Sequence, residues 1–278
     1  MKSLTLGMAL LSALALGACN GLNNEEAQTK KVLNVVDESD LNDVMLTAAD
    51  PNEAVNYFSN TLQKDPERDD LRRGLAQSLL RARRAQEATV IYAQLDQRGA
   101  MDHQDRLNYT DALIRAGEWE TAKAQMNKVP PSVKTYQRYL LEALIADADK
   151  NWKKADSFYE TASGLTTQPA GVLNNWGFSK LTRQDYKGAA VLFSEAITYD
   201  KNMFTAKNNL VLARGALKLY DLPIIPMNTE EKAVLTYTAG LAAVKNGDKD
   251  TGRILFQRAI DTHPRHFEEA ANSLKALG

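Results

Sequence analysis

The feature that most constrains this chain is a pattern of alanines that returns every 33 or 34 residues. Successive marker alanines are separated by 34, 34, 33 and 34 residues. Four residues after each marker stands an aromatic residue or a methionine, and three residues later a residue that is mostly small or apolar. These spacings place the three residues on one face of an α-helix. The markers are Ala54, Ala88, Ala122, Ala155 and Ala189.

A second small residue stands twelve positions before several markers, as Gly177 does before Ala189. Two antiparallel helices pack closely only where a small side chain lies at their crossing, so each period predicts one helix pair. A single pair cannot bury its apolar face, and neighbouring pairs must therefore stack. The repeat resembles the tetratricopeptide repeat, whose period is 34 residues. That resemblance covers about residues 50–265 and implies an all-α helical solenoid, a superhelix of antiparallel helix pairs.

The C-terminal part departs from the strict period. The distance from Ala189 to the next small marker, Gly252, is 63 residues rather than 68. Pro223 and Pro226 cannot lie inside a helix, so we expect an inserted loop at about residues 220–229. Residues 266–277 are expected to form a capping helix over the last apolar face.

The N-terminus has the pattern of an export signal. Lys2 precedes an uncharged stretch over residues 3–18, which is shorter than the roughly 20 residues of a membrane-spanning helix. The run Leu16-Gly17-Ala18-Cys19 resembles the bacterial lipobox, which implies acylation of Cys19. We therefore expect a signal peptide over 1–18, a lipidated N-terminus and tether over 19–50, and the repeat domain over 51–278. The alternative is an ordinary signal peptide in which Cys19 is only a small residue.

Composition excludes several classes of function. The formal net charge of −1 gives no global attraction to nucleic acid. One cysteine and three histidines leave little for a metal or haem site and exclude a disulfide within the chain. Phosphate-binding loops and serine-nucleophile motifs are absent from the sequence. We therefore predict no enzyme, no metal, no cofactor and no small-molecule substrate.

Three asparagines occupy the same place in three first helices, which line the concave groove of such superhelices. Stacked amides there can bond the backbone of a bound peptide as donor and acceptor. The alternative is that they bond neighbouring helices. The three candidates are Asn108, Asn175 and Asn209.

A basic stretch supplies a second candidate surface. Arg73, Gln77 and Arg81 are spaced i, i+4 and i+8 on one helix face. They could face an acidic partner segment in the groove, or they could form a solvated helix surface.

The whole arrangement resembles the TadD family of tight-adherence (Flp) pilus assembly lipoproteins. The resemblance rests on the lipobox, the repeats, and the tail residues 208–215, 220–227 and 259–264. It implies a scaffold on the periplasmic side of the outer membrane, anchored by lipid, with the secretin or other pilus secretion components as partners. The alternatives are a secretin pilotin of a type IV pilus, an outer-membrane assembly component, or an accessory module of a cell-wall enzyme.

Overall fold

Residues 41–278 are described by a computed structural model, and within this range every regular element is a helix. The fold is an all-α tetratricopeptide-repeat-like solenoid with a C-terminal capping helix, which confirms the predicted fold class. Cys19, the signal peptide and residues 19–40 of the predicted tether lie outside the described residues. The chain divides into two compact units between Met101 and Asp102.

In the first unit, helices that carry a marker alanine alternate with helices that do not. The elements are α1 (residues 41–47), α2 (Pro51–Lys64), α3 (Asp69–Arg81) and α4 (Ala85–Gln97). Asp50 caps α2 by accepting hydrogen bonds from two backbone N–H groups, and Pro51 occupies the first turn, where no N–H is needed. Helix α1 falls inside the predicted tether, yet Tyr57 of α2 donates a hydrogen bond of 2.9 Å to Asn42. Residues 41–49 therefore pack on the first repeat.

The second unit contains four complete helix pairs, one unpaired first helix and the cap. The first helices are α5 (His103–Ala116), α7 (Tyr136–Ala148), α9 (Ala170–Thr182), α11 (Phe204–Ala216) and α12 (Thr229–Lys245). The second helices are α6 (Trp119–Met126), α8 (Trp152–Gly164), α10 (Tyr186–Tyr199) and α13 (Lys249–Thr262). The cap is α14 (Glu268–Ala276), whose buried Ala270 packs with Phe267, Ala233 and Ala259.

The marker positions lie where the paired helices touch. The side chains of Ala54, Ala88, Ala122, Ala155 and Ala189 are all fully buried. A Cβ atom on Gly177 would lie 2.7 Å from the Phe193 ring, and one on Gly252 would lie 2.4 Å from Val244. Small residues are therefore required at these crossings, because the aromatic or aliphatic partner already fills the space.

A left-handed backbone residue ends each first helix of the complete pairs. The positive φ values occur at Arg83, Gly117, Lys150, Gln184 and Gly247. Lys218, with φ of 62°, occupies the equivalent place after α11, so α11 ends as a regular first helix. No second helix follows, because Pro223 and Pro226 interrupt the segment between residues 217 and 228.

The inserted segment is attached to the fold by apolar and ionic contacts. Leu222 and Met227 pack on the core shared by α11 and α12. Lys207, which is only 2% exposed, donates to both carboxylate oxygens of Glu231 at 2.8 and 3.0 Å. Burial alone would raise the pKa of Glu231, but the Lys207 ammonium and the Asn228 N–H lower it overall. This ion pair joins α11 directly to the next first helix. No helix in residues 41–278 combines the length and apolar character needed to cross a bilayer.

Candidate functional site

The first helices of the second unit present one common face, through residues spaced i, i+4, i+7 and i+11. We call this the first-helix face. At its second position stand Asn108, Leu141, Asn175, Asn209 and Thr238, and at its third Asp111, Leu144, Phe178, Leu212 and Leu241. The predicted asparagine candidates therefore share one row, in which leucine and threonine replace asparagine on α7 and α12.

Two of the three candidate asparagines are bonded to neighbouring first helices. Asn108 accepts hydrogen bonds from Gln104 at 3.0 Å and from Gln137 of α7 at 2.9 Å. Asn209, only 9% exposed, donates to Asn174 of α9 at 3.1 Å. These contacts match the alternative considered for the row, because each amide links two first helices.

Asn175 differs from the other two asparagines. Its side-chain amide forms no hydrogen bond with any residue between 41 and 278, and it is half-buried. It lines a cavity of about 490 Å³ together with residues of α5 and α7, among them Tyr136, Gln137 and Leu144. An amide with free donor and acceptor atoms in a partly apolar cavity can bond the backbone of a bound chain.

A second cavity of about 460 Å³ lies along the C-terminal ends of α9, α11 and α12. Its walls include Leu181, Leu212 and Leu241, and Lys245 is the one charged side chain among the lining residues. Helices α11 and α12 approach closely beside it, since a Cβ atom on Gly215 would lie 2.5 Å from the Ala242 Cβ. The cavity therefore combines an apolar wall with a single positive charge.

The basic candidates in the first unit are engaged with backbone carbonyls. Arg73 donates to the carbonyl of Ala100, just beyond α4. Arg81 donates to the carbonyls of Met45 at 2.9 Å and Ala49 at 2.7 Å. Both guanidinium groups satisfy carbonyls near the C-terminal ends of helices, a structural use of arginine. Gln77 lies between them, half-buried.

A buried polar cluster ties α7, α8 and α9 together. The Asp147 carboxylate accepts hydrogen bonds of 2.7 Å from both the Tyr159 hydroxyl and the Ser179 hydroxyl. Burial raises the pKa of Asp147, although both hydroxyl donors act in the opposite direction. Burial and the neighbouring Asp147 charge raise the pKa of Tyr159. Every polar atom here has a partner, so we assign the cluster to helix packing.

The row of exposed apolar residues was missed by the sequence interpretation. Phe178, Leu212 and Leu241 are 53%, 36% and 42% exposed. Leucine and phenylalanine at helical spacing are typical of a core, and the pattern alone does not reveal exposure. The available signal was their position three residues after the asparagine row.

Comparison with known proteins agrees with this fold. The tetratricopeptide repeat family model matches residues 45–105. The Cut9–Hcn1 hetero-tetramer of the APC/C superposes with a TM-score of 0.61 and 15% identity, covering 85% of this chain and 48% of that one. This chain thus spans about half the length of that relative. A tetratricopeptide repeat protein from Parabacteroides merdae gives a TM-score of 0.52 and 15% identity, covering 91% and 98% of the two chains. No curated protein matches the sequence.

The human IFIT1 dimer with PPP-AAAA is a further structural neighbour, with a TM-score of 0.56 and 14% identity, covering 82% of this chain and 59% of that one. Identities this low establish the fold and not a shared activity. The fold is that of a tetratricopeptide-repeat protein, which is characteristically a scaffold for protein–protein interaction.

Proposed function

We propose that this protein is a scaffold lipoprotein of Flp, or tight-adherence, pilus assembly. It is anchored through Cys19 in the outer membrane on the periplasmic side, and its first-helix face binds the secretin or another component of the pilus secretion machine. The observation that carries the binding role is the open amide of Asn175, which lines an apolar-walled cavity on that face.

The resemblance of the lipobox and of the tail residues supports the assignment to pilus assembly. The tail residues 208–215 form part of α11, and residues 220–227 form the inserted segment that packs beside it. They therefore shape the first-helix face directly. Acylation supports the anchoring role, since each buried CH₂ contributes about 0.8 kcal/mol and several chains together anchor a protein firmly.

Site-specific photocrosslinking in cells tests the partner. A photoreactive residue placed at Leu212 should crosslink to a pilus secretion component, identified by mass spectrometry. The same residue at Val191, which is 65% exposed on the second helix α10, is the matched control and should give no such product. Crosslinks from Leu212 to a barrel-insertion component or to a cell-wall enzyme would contradict the proposal and favour those alternatives.

Membrane fractionation tests the anchor separately. Cys19→Ala should move the protein from the outer-membrane fraction to the soluble periplasm when its partners are absent. Continued sedimentation of this variant with the outer membrane would exclude lipid anchoring at Cys19.

A further inference from the structure

Four successive first helices expose an apolar side chain at the same position. We call Leu144, Phe178, Leu212 and Leu241 the apolar row. Leu144 is half-buried, and the other three are substantially exposed. A helix surface that faces water normally carries charged or polar residues. Soluble proteins rarely expose a contiguous apolar strip unless it is covered by a partner.

The residues on either side of the apolar row are almost free of charge. Ala148, Thr182 and Ala216 occupy the neighbouring fourth position of the first-helix face on α7, α9 and α11. On the fourth helix this position is Lys245, which forms no ion pair or side-chain hydrogen bond within residues 41–278. Glu230, in the first turn of α12, is already paired with Arg265 at 3.4 Å. The unpaired charge at this end of the row is therefore positive.

The side-chain amides beside the row favour an extended occupant. Asn175 is open, and the Asn208 amide accepts from Thr238 at 2.8 Å while its NH₂ group forms no bond within the described part of the chain. An extended chain has unsatisfied N–H and C=O groups that such amides can bond, whereas a helix satisfies its own. The amides thus offer what an extended backbone needs.

The spacing of the helices then sets the spacing of the occupant's side chains. Packed helices lie about 8–10 Å apart. A polyproline II chain advances about 3.1 Å per residue with three residues per turn, so every third residue faces the same side about 9 Å further along. One apolar residue in every three would therefore meet one member of the apolar row after another.

Building on the proposed binding role of this face, we propose that its occupant is an extended segment of another protein with an apolar residue at every third position. An aspartate or glutamate side chain adjoins the residue that enters the cavity lined by Leu212 and Leu241, and it pairs with Lys245. The apolar row supplies affinity, and Lys245 fixes the direction and register of the segment.

Selection from a library of random dodecapeptides tests this proposal. The lipidated protein is held in detergent micelles, and the peptides are displayed as internal fusions, so that no free C-terminal carboxylate is present. Wild-type protein should enrich peptides with apolar residues at every third position and an acidic residue near one end. Phe178→Ser should reduce recovery about tenfold or more, given the apolar area it removes. Val191→Ser, on the exposed surface of α10, is the control and should leave recovery unchanged.

Reversing the charge provides the decisive comparison. Lys245→Glu should replace the acidic preference by lysine or arginine. A synthetic peptide of the selected sequence should bind this variant about three- to tenfold more weakly, and exchange of its acidic residue for lysine should restore binding. An acidic preference unchanged by Lys245→Glu would overturn the proposal, as would an apolar spacing of i, i+4 and i+7, which indicates a helical occupant. A concentration-dependent dimer abolished by Phe178→Ser would instead assign the row to a second copy of this chain.

These outcomes are separable from failure of the proposed function. The crosslink from Leu212 reports which protein lies on the face in cells, whatever its conformation. If the crosslink to a secretion component persists while no such peptide motif is selected, the inference fails and the proposed function stands.

Discussion

Gly177 is the position where the smallest possible change should have a measurable cost. A Cβ atom there would lie 2.7, 2.8 and 3.1 Å from three carbons of the Phe193 ring. Phe193 is fully buried among Leu173, Ala196 and Ala213, so the ring cannot move aside freely. Gly177→Ala gains about 0.5–1 kcal/mol of helix propensity. Overpacking of the core costs about 1–3 kcal/mol, and the variant should therefore be less stable than wild type.

Gly171 in the same helix is the matched control, because nothing lies within 4 Å of its ideal Cβ position. Gly171→Ala should be neutral or slightly stabilising, so the two variants should differ by about 1–3 kcal/mol in urea unfolding followed by circular dichroism. Adding Phe193→Leu to Gly177→Ala should cost less than Phe193→Leu costs alone, which a double-mutant cycle measures. If Gly177→Ala is as stable as Gly171→Ala, the proposed crossing of α9 and α10 is incorrect.

Two further predictions concern the joint between repeats and the turns within them. Glu231→Gln leaves Lys207 buried without its counter-charge and should cost about 3 kcal/mol near neutral pH. Because the pKa of Glu231 lies below its ordinary value of 4.5 in the folded protein, this contribution is complete above that pH and is lost as the pH falls further. Urea unfolding of both proteins from pH 7 to pH 3 should show the difference shrinking at the acidic end, and a constant difference would exclude the ion pair as its cause. Gln184→Gly should stabilise by about 0.5–1 kcal/mol, because φ of 69° strains a residue with a Cβ, and thermal unfolding of Gln184→Ala should show no such gain.

The repeat architecture could be predicted from the sequence because its determinants are local. A buried alanine with an aromatic four residues later requires a close helix crossing wherever it occurs, and Ala155 with Tyr159 shows this arrangement. The position of the insertion followed from Pro223 and Pro226 for the same reason. The early end of α6 at Met126 was less evident, although Pro130 and Pro131 prevent the helix from continuing.

The candidate site was less predictable, because it depends on contacts between repeats. The sequence placed Asn108, Asn175 and Asn209 in one row, yet it could not show which amides were already bonded. Asn108 meets Gln137 because α7 happens to carry glutamine at its first exposed position, while no equivalent donor reaches Asn175. Which of the three stays open is therefore decided by residues about one repeat away in the sequence.

The missing second helix explains why the apolar row and the inserted segment belong together. After the turn at Lys218 the chain does not form a second helix, and α12 packs directly against α11 at Gly215 and Ala242. The segment that replaces the helix fills the vacated core with Leu222 and Met227, leaving Leu212 and Leu241 on neighbouring first helices. A complete repeat at this point would insert a second helix into the packing and change the spacing between α11 and α12. The shortened repeat thus places two exposed leucines and Lys245 around one cavity, an arrangement that the regular period alone would not produce.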